Sequence, residues 1–138
     1  MDPSPELTIA AFQSLSTHVA ILDRDANIVC WNQAWDDFGS ANGAHRITDW
    51  RRYNYRDVCL MAADDGDDFA LLIADTLSQT LRGRQGRRTF EYPCHGPTEE
   101  RYFEMTITPL EHRGERFAII EHDDITQHRL RRELEPVG

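Results

Sequence analysis

The sequence contains no lysine: all 15 of its basic residues are arginines, set against 24 acids for a formal charge of -9. A uniformly acidic chain repels phosphate backbones and anionic bilayers, so neither nucleic acid nor a membrane surface is expected as a partner. No apolar run approaches the ~18 residues of a membrane span. Cysteine is scarce too. Cys30, Cys59 and Cys94 are odd in number and form no C-x-x-C pair, which implies neither a disulfide framework nor a zinc knuckle. The opening Met1-Asp2-Pro3-Ser4-Pro5-Glu6 has neither the basic start nor the apolar stretch of a secretory signal. The chain therefore reads as cytoplasmic, with reduced thiols. Internal repeats and low-complexity segments are also missing.

What remains is 138 residues, 40% of them hydrophobic, enough for one ordinary domain with its own core. Leu7, Ala10, Ala11, Ser14 and Leu15 recur at three- and four-residue spacing and predict an amphipathic helix over 6–16. Two β-rich runs, 18–23 and 28–31, flank an Asp/Asn turn and read as a hairpin. Asn32 then has the position of a helix N-cap, opening a short helix that ends at Gly39. Residues 40–63 lack a period and suggest helical turns joined by loops. Beyond the acidic Asp64-Asp65-Gly66-Asp67-Asp68, the stripe Phe69, Leu72, Ile73, Thr76, Leu77 and Thr80 predicts a long helix ending at Gly83. From Arg87 the period falls to two. Phe90, Tyr92 and Cys94 mark one strand and Phe103, Met105 and Ile107 the next, with a turn at His95-Gly96-Pro97-Thr98 between them. After a second turn at His112-Arg113-Gly114, residues 117–123 form the last strand. Leu130 and Leu134 place a charged helix in the tail. This order predicts an α+β domain, one antiparallel sheet with helices gathered on one face. The first hairpin must pair with the last strands, because an isolated two-stranded ribbon is not stable.

Three segments carry a resemblance. Asp23-Arg24-Asp25-Ala26-Asn27-Ile28-Val29-Cys30-Trp31-Asn32, Asn54-Tyr55-Arg56-Asp57-Val58-Cys59 and Asp124-Ile125-Thr126 occur in the order and spacing of a PAS sensor domain, and the chain resembles that family over about residues 16–126. The resemblance implies a five-stranded antiparallel sheet cupping a pocket under helices. Residues 1–16 then form a leader and flanking helix, 17–126 the core, and 127–138 the start of a C-terminal signalling helix. It further implies a non-enzymatic sensory input, homodimeric, coupled to an effector such as a histidine kinase or cyclase. The tail ends where a signalling helix would begin, as expected of a piece of a longer protein.

The resemblance also bears on cofactors. Light-oxygen-voltage members carry a flavin-reactive Cys after an Asn; Asn54 matches, but Tyr55 stands in the Cys position and Cys59 comes four residues late. Phe103 falls where a flavin-contacting Asn would be. Oxygen sensors bind haem through a His on the long central helix, and 69–83 contains none. Neither flavin nor haem is expected. His122 falls where the light-oxygen-voltage pattern has its flavin-sensing Gln, and it shares a strand face with Ala118 and Ile120. It is the leading candidate for ligand contact or for a charge change near neutrality, against the plainer reading of a structural histidine paired with a carboxylate or backbone.

The candidate pocket set is Phe38, Phe69, Ile73, Leu77, Phe90, Phe103, Met105, Ile107, Ile120 and His122, residues that equally suit a packed core. Asp124 and Thr126 are assigned to signal transmission, with the Thr126 hydroxyl capping the last helix and Asp124 bonding backbone amides or Arg129. Leu130, Leu134 and Val137 suggest a seam toward an effector. Leu7, Ala11 and Leu15 are the candidate dimer stripe, packed on the outer face of the sheet. No metal is expected, because His122, Asp123 and Asp124 alternate in direction along a strand, and 64–68 lacks the spacing of a calcium loop. Arg82-Gly83-Arg84-Gln85-Gly86-Arg87-Arg88 precedes a strand rather than a helix and has no Lys-Ser/Thr end, so it reads as a solvated connection, not a phosphate-binding loop. No serine has a nucleophile context, and no catalytic residue is assigned. Two alternatives stand beside the sensor: a ligand-free dimerisation module, and a small cone-shaped isomerase-like enzyme, against which the early hairpin argues.

Overall fold

A computed structural model describes residues 4–41, 49–93 and 98–134, with backbone alone for 39–41. Ser4 accepts from the Leu7 N–H at 3.1 Å and Pro5 takes the first position, so α1 (Pro5–Ser14) begins at a proper cap. The hairpin β1 (His18–Leu22) and β2 (Ile28–Trp31) turns through Asp23, whose carboxylate accepts the N–H groups of Asp25 and Asn27, both at 2.9 Å. Ala26 in that turn is left-handed, φ +69°, a conformation costing a residue with a Cβ roughly 1–2 kcal/mol. Its N–H bonds to the Asp23 carbonyl and its carbonyl to the Tyr55 N–H, which hold it there.

After α2 (Gln33–Ala41) come a 3-10 turn (Trp50–Arg52), α3 (Tyr55–Asp64) and α4 (Asp68–Leu81). Asp67 caps α4 by accepting from the Ala70 N–H at 3.0 Å, which accounts for part of the acidic cluster as a helix start. The strands β3 (Arg88–Pro93), β4 (Tyr102–His112) and β5 (Glu115–Asp124) follow, then α5 (Thr126–Leu134). β4 and β5 are joined by Arg113-Gly114 alone, φ +52° and +78°, the two-residue turn whose twist matches a hairpin. The sheet is antiparallel in the order β2-β1-β5-β4-β3, so the first hairpin does pair with the last strand. Its inner face presents Ala20, Leu22, Met105, Ile107, Ala118 and Ile120, and α4 lays Ile73, Ala74 and Leu77 over them. Each fully buried aliphatic side chain there contributes roughly 1.5–3 kcal/mol.

Two expectations need correction. Residues 55–64 form a ten-residue helix, not a chain of turns. Asn54 caps it, accepting from the Asp57 N–H at 3.0 Å. Only Cys59 on it is fully buried, with Tyr55, Leu60 and Ala62 half-buried against the core, while Val58 and Met61 face solvent, so its apolar stripe is too weak to show as a period. α2 also runs through Gly39 to Ala41; one glycine near a helix end costs only about 1 kcal/mol. The turn expected at 95–97, Cys94 and Val137 lie outside the described residues.

The most heavily engaged side chain is Asn32, at 0% exposure. Its Oδ1 accepts from Val19 N–H (3.1 Å) and Trp35 N–H (3.0 Å), so the expected cap is present. Its Nδ2 donates to the Thr17 carbonyl (2.9 Å) and, more weakly, to that of Leu15 (3.5 Å). One amide thus ties β1, the end of β2, the start of α2 and the α1–β1 link. Asn32→Ala strands several buried backbone groups and should lower unfolding free energy by about 3 kcal/mol in a urea titration. Asn32→Asp keeps the acceptor but turns a second oxygen toward two carbonyls, and should lose nearly as much. Wild-type stability in the Asp variant would show that the Nδ2 bonds contribute nothing.

Candidate functional site

Alternation along β5 turns Ala118, Ile120 and His122 to the inner face, and register places His122 between His18 of β1 and Met105 of β4. Two histidines therefore lie directly opposite each other on neighbouring strands. The His122 ring is held at both nitrogens: Tyr92 Oη lies 2.6 Å from Nδ1 and Tyr55 Oη 3.1 Å from Nε2. A neutral imidazole has one N–H and one bare nitrogen, so one phenol donates to it and the other accepts. Burial, with a smaller contribution from neighbouring His18, pushes the His122 pKa down to about 4. Burial also raises the Tyr55 phenol well above its ordinary value. His122 and Tyr55 are thus uncharged at neutral pH.

Aromatic rings surround it. Tyr92 stacks between Phe69 (4.9 Å between centroids) and Phe103 (5.8 Å), and Phe103 meets Phe38 edge-on at 5.5 Å. Phe38 stacks on His18 at 4.3 Å. Trp35 lies 5.9 Å from His122 and edge-on to Trp50. Asp36 accepts from the indole N–H groups of Trp31 (3.1 Å) and Trp50 (2.9 Å), fixing two rings of this wall. His18 Nδ1 is buried without a hydrogen-bond partner among the described residues. Burial lowers its pKa, while Asp124 and Asp123 oppose that shift.

The candidate pocket residues divide into two groups. Ile73 and Leu77 on α4, and Met105, Ile107 and Ile120 on the sheet beneath it, are fully buried as core. Phe38, Phe69, Phe103 and His122 belong to the aromatic cluster, with Phe90 reaching Phe69 at its edge (6.1 Å). Sequence reasoning missed Tyr55, Tyr92, His18 and Trp35 as members. Tyr92 shares its strand face with Phe90, and His18 shares one with Ala20 and Leu22; that period-two signal was available. The convergence of Tyr55 from the first turn of α3 was not.

Beyond His122 the chain turns outward. Asp123 and Asp124 are exposed, and among the described residues no three metal-capable side chains cluster. Asp124 accepts from the Thr126 N–H at 3.0 Å, an amide bond of the expected kind. Thr126 itself departs from expectation. It is the first residue of α5, and its hydroxyl accepts from the Tyr102 N–H (2.9 Å) and donates to the Tyr102 carbonyl (3.4 Å) instead of capping the helix. Arg129 likewise bonds Glu91 (3.1 Å) and stacks over Tyr102 (4.3 Å) rather than reaching Asp124. At the other end, α1 packs beside α2 rather than lying on the outer sheet face, with Gln13 Nε2 donating to the Trp31 carbonyl. Leu7, Ala11 and Leu15 are exposed.

Comparison with known proteins agrees with this architecture. A family model described as the PAS fold matches residues 12–130. An uncharacterised 104.1 kDa protein of Rhodobacter capsulatus is 32% identical over 136 residues, 95% of this chain, and the chain spans 14% of that relative's length. Among solved structures, the chain is similar to the PAS domain of BvgS from Bordetella pertussis, with TM-score 0.61 and 16% identity, over 94% of this chain and 92% of that one. A PAS domain from a two-component sensor histidine kinase gives TM-score 0.54 and 16% identity, covering 86% and 94%. The phage VqmA–DPO complex gives TM-score 0.57 and 19% identity, covering 93% and 56%. The matched span takes in the hairpin, the helices over the sheet and the last strand, and the chain belongs to the PAS-fold family.

Proposed function

We propose that this PAS domain is a cytoplasmic sensory input whose inner aromatic cup binds a small molecule, and that β5 passes the change to α5 and to an attached effector such as a histidine kinase or cyclase. The family is mainly sensory and non-enzymatic. The observation that carries the reading is the Tyr55–His122–Tyr92 relay standing two residues before Asp124. A ligand that takes either phenol's hydrogen bond must reorient His122, and β5 runs from there into the Asp124–Thr126–Tyr102 tether at the root of α5. One structural neighbour is described as a complex with DPO, which supports ligand binding within this fold. No catalytic role is assigned, since neither the lowered imidazole nor the raised phenol titrates near neutrality. We assign no flavin or haem: both His122 nitrogens are engaged by tyrosines, and Tyr55 stands where a reactive thiol would be. The working unit is a homodimer, because α1 and its C-cap leave Leu7, Ala11 and Leu15 exposed, the two leucines at 62 and 49%, an apolar strip that a second copy would cover.

Native mass spectrometry of the purified domain should read twice the chain mass plus a small molecule that is lost on denaturation, and the sample should be colourless. A native mass of twice the denatured chain mass and nothing more, with no melting shift across a metabolite library, would establish the ligand-free dimerisation module instead.

His122 also sets a pH dependence. Its folded pKa of about 4 lies below the ordinary 6.5, so between those values the unfolded chain binds the proton first. Its stabilising contribution is complete above pH ~6.5 and is lost as pH falls toward 4, about 2 kcal/mol between pH 7 and pH ~4.5. His122→Gln retains a donor and an acceptor without titrating, so its unfolding free energy should fall less over that window by this amount. Parallel pH profiles would show that His122 is not held neutral.

Thr126→Val removes both hydroxyl contacts to Tyr102 and should cost roughly 1 kcal/mol locally. Amide exchange should accelerate at Tyr102 and across 127–134 while the main melting transition barely moves. Unchanged protection would remove the tether from the signalling path.

A further inference from the structure

The β1–β2 turn, the start of α3 and the end of α4 meet around a cavity of about 300 Å³ that shares no lining residue with the aromatic cup. Its lining includes three arginines, Arg24, Arg56 and Arg82, against one acidic residue, Asp25, with Ser78 beside them. That is an unusual concentration of positive charge for a chain of net charge -9. Three arginines elsewhere are paired, Arg51 with Asp49, and Arg129 and Arg132 with Glu91. Among the described residues, Arg24, Arg56 and Arg82 take part in no ion pair. Arg56 also sits in the first turn of α3, where the helix dipole is positive and disfavours a cation. An anion in the cavity would relieve both tensions.

The frame is assembled before any ligand arrives. Tyr55 N–H donates to the Ala26 carbonyl at 2.8 Å. Asn54 Nδ2 donates to the Asp25 carbonyl (2.7 Å) and to Asn27 Oδ1 (2.9 Å), and Ile28 N–H donates to the Tyr53 carbonyl (3.1 Å). These bonds lock the turn bearing Arg24 against the helix start bearing Arg56. Arg82 caps the far end of α4, its N–H on the Ser78 carbonyl at 3.1 Å. Gly83 follows at φ +76°, with the Arg116 guanidinium where a Cβ would stand. The first member of the arginine-glycine stretch from Arg82 to Arg88 lines this cavity.

We propose that Arg24, Arg56 and Arg82 form a binding site for a phosphate group, either free or as the monoester of a small molecule. Planar guanidinium forks match phosphate oxygens in pairs, a preformed frame lowers the cost of ordering, and the volume leaves room for an organic portion beside the phosphate. The acidic remainder of the protein repels anions, so association at this point requires the local cluster.

The test is a titration of the full chain at constant ionic strength with inorganic phosphate and, separately, O-phosphoserine. Arginine Nε–H and backbone signals are followed by NMR. Saturable shifts confined to residues 24–27, 54–57 and 78–82 are expected, with affinity at least tenfold weaker in Arg24→Gln and Arg56→Gln. Arg84→Gln, outside the cavity lining, should bind as wild type. Tighter binding of phosphoserine than of phosphate would identify a monoester ligand, and equal binding the free anion. Shifts that are absent through the millimolar range, spread over all arginines, or unchanged in Arg24→Gln and Arg56→Gln would overturn the proposal. Amide spectra of each variant matching the apo wild type establish that folding is not what changed.

Discussion

The amide of Asn32 is the constraint on which the rest of this architecture turns. Buried without access to water, it must satisfy two donors and an acceptor internally, and it does so with backbone groups of β1, α2 and the α1–β1 link. That pins the hairpin edge of the sheet to the helix that crosses it. His18 opens β1 and Trp35 lies in the first turn of α2, so the same amide sets where two walls of the aromatic cup stand. The pairing of His18 with His122 then follows from register alone.

Inside the cup, low polarity and hydrogen bonding act together. Removal from water favours the neutral imidazole and the protonated phenol, and those forms suit each other as donor and acceptor in the relay. The basic cavity at the end of α4 follows the opposite logic, an open and charged site on an acidic body. Tyr55 and Arg56 are consecutive, so the two sites share one turn of helix.

Much of this was legible because it is local. Alternation at Phe103, Met105 and Ile107 marks a strand with one buried face, and the stripe through Ile73 and Leu77 marks α4. Asn32 announces a helix start through cap chemistry, and His112-Arg113-Gly114 announces a turn. The face of His122 was readable from Ile120. Its partners were not, because Tyr55 and Tyr92 lie 67 and 30 residues away and no spacing rule connects them. α3 escaped notice for a different reason: a helix that fully buries only one side chain leaves almost no periodic trace. Thr126 misled because the cap rule considers only the following turn, whereas its hydroxyl is taken by Tyr102, 24 residues earlier.

The attachment of α5 at Tyr102 has a mechanical consequence. The helix has nine residues, about 13 Å at ~1.5 Å per residue, and it is fastened near its root by Thr126 and Arg129 while its far end is solvent-exposed. It is a lever with its fulcrum on β4. A tilt of about 10° at the fulcrum sweeps the tip by about 2 Å, and helix displacements of ~1–2 Å at an interface are enough to separate two packed states. A small shift at the Thr126–Tyr102 contact would thus be magnified at the exposed end of α5.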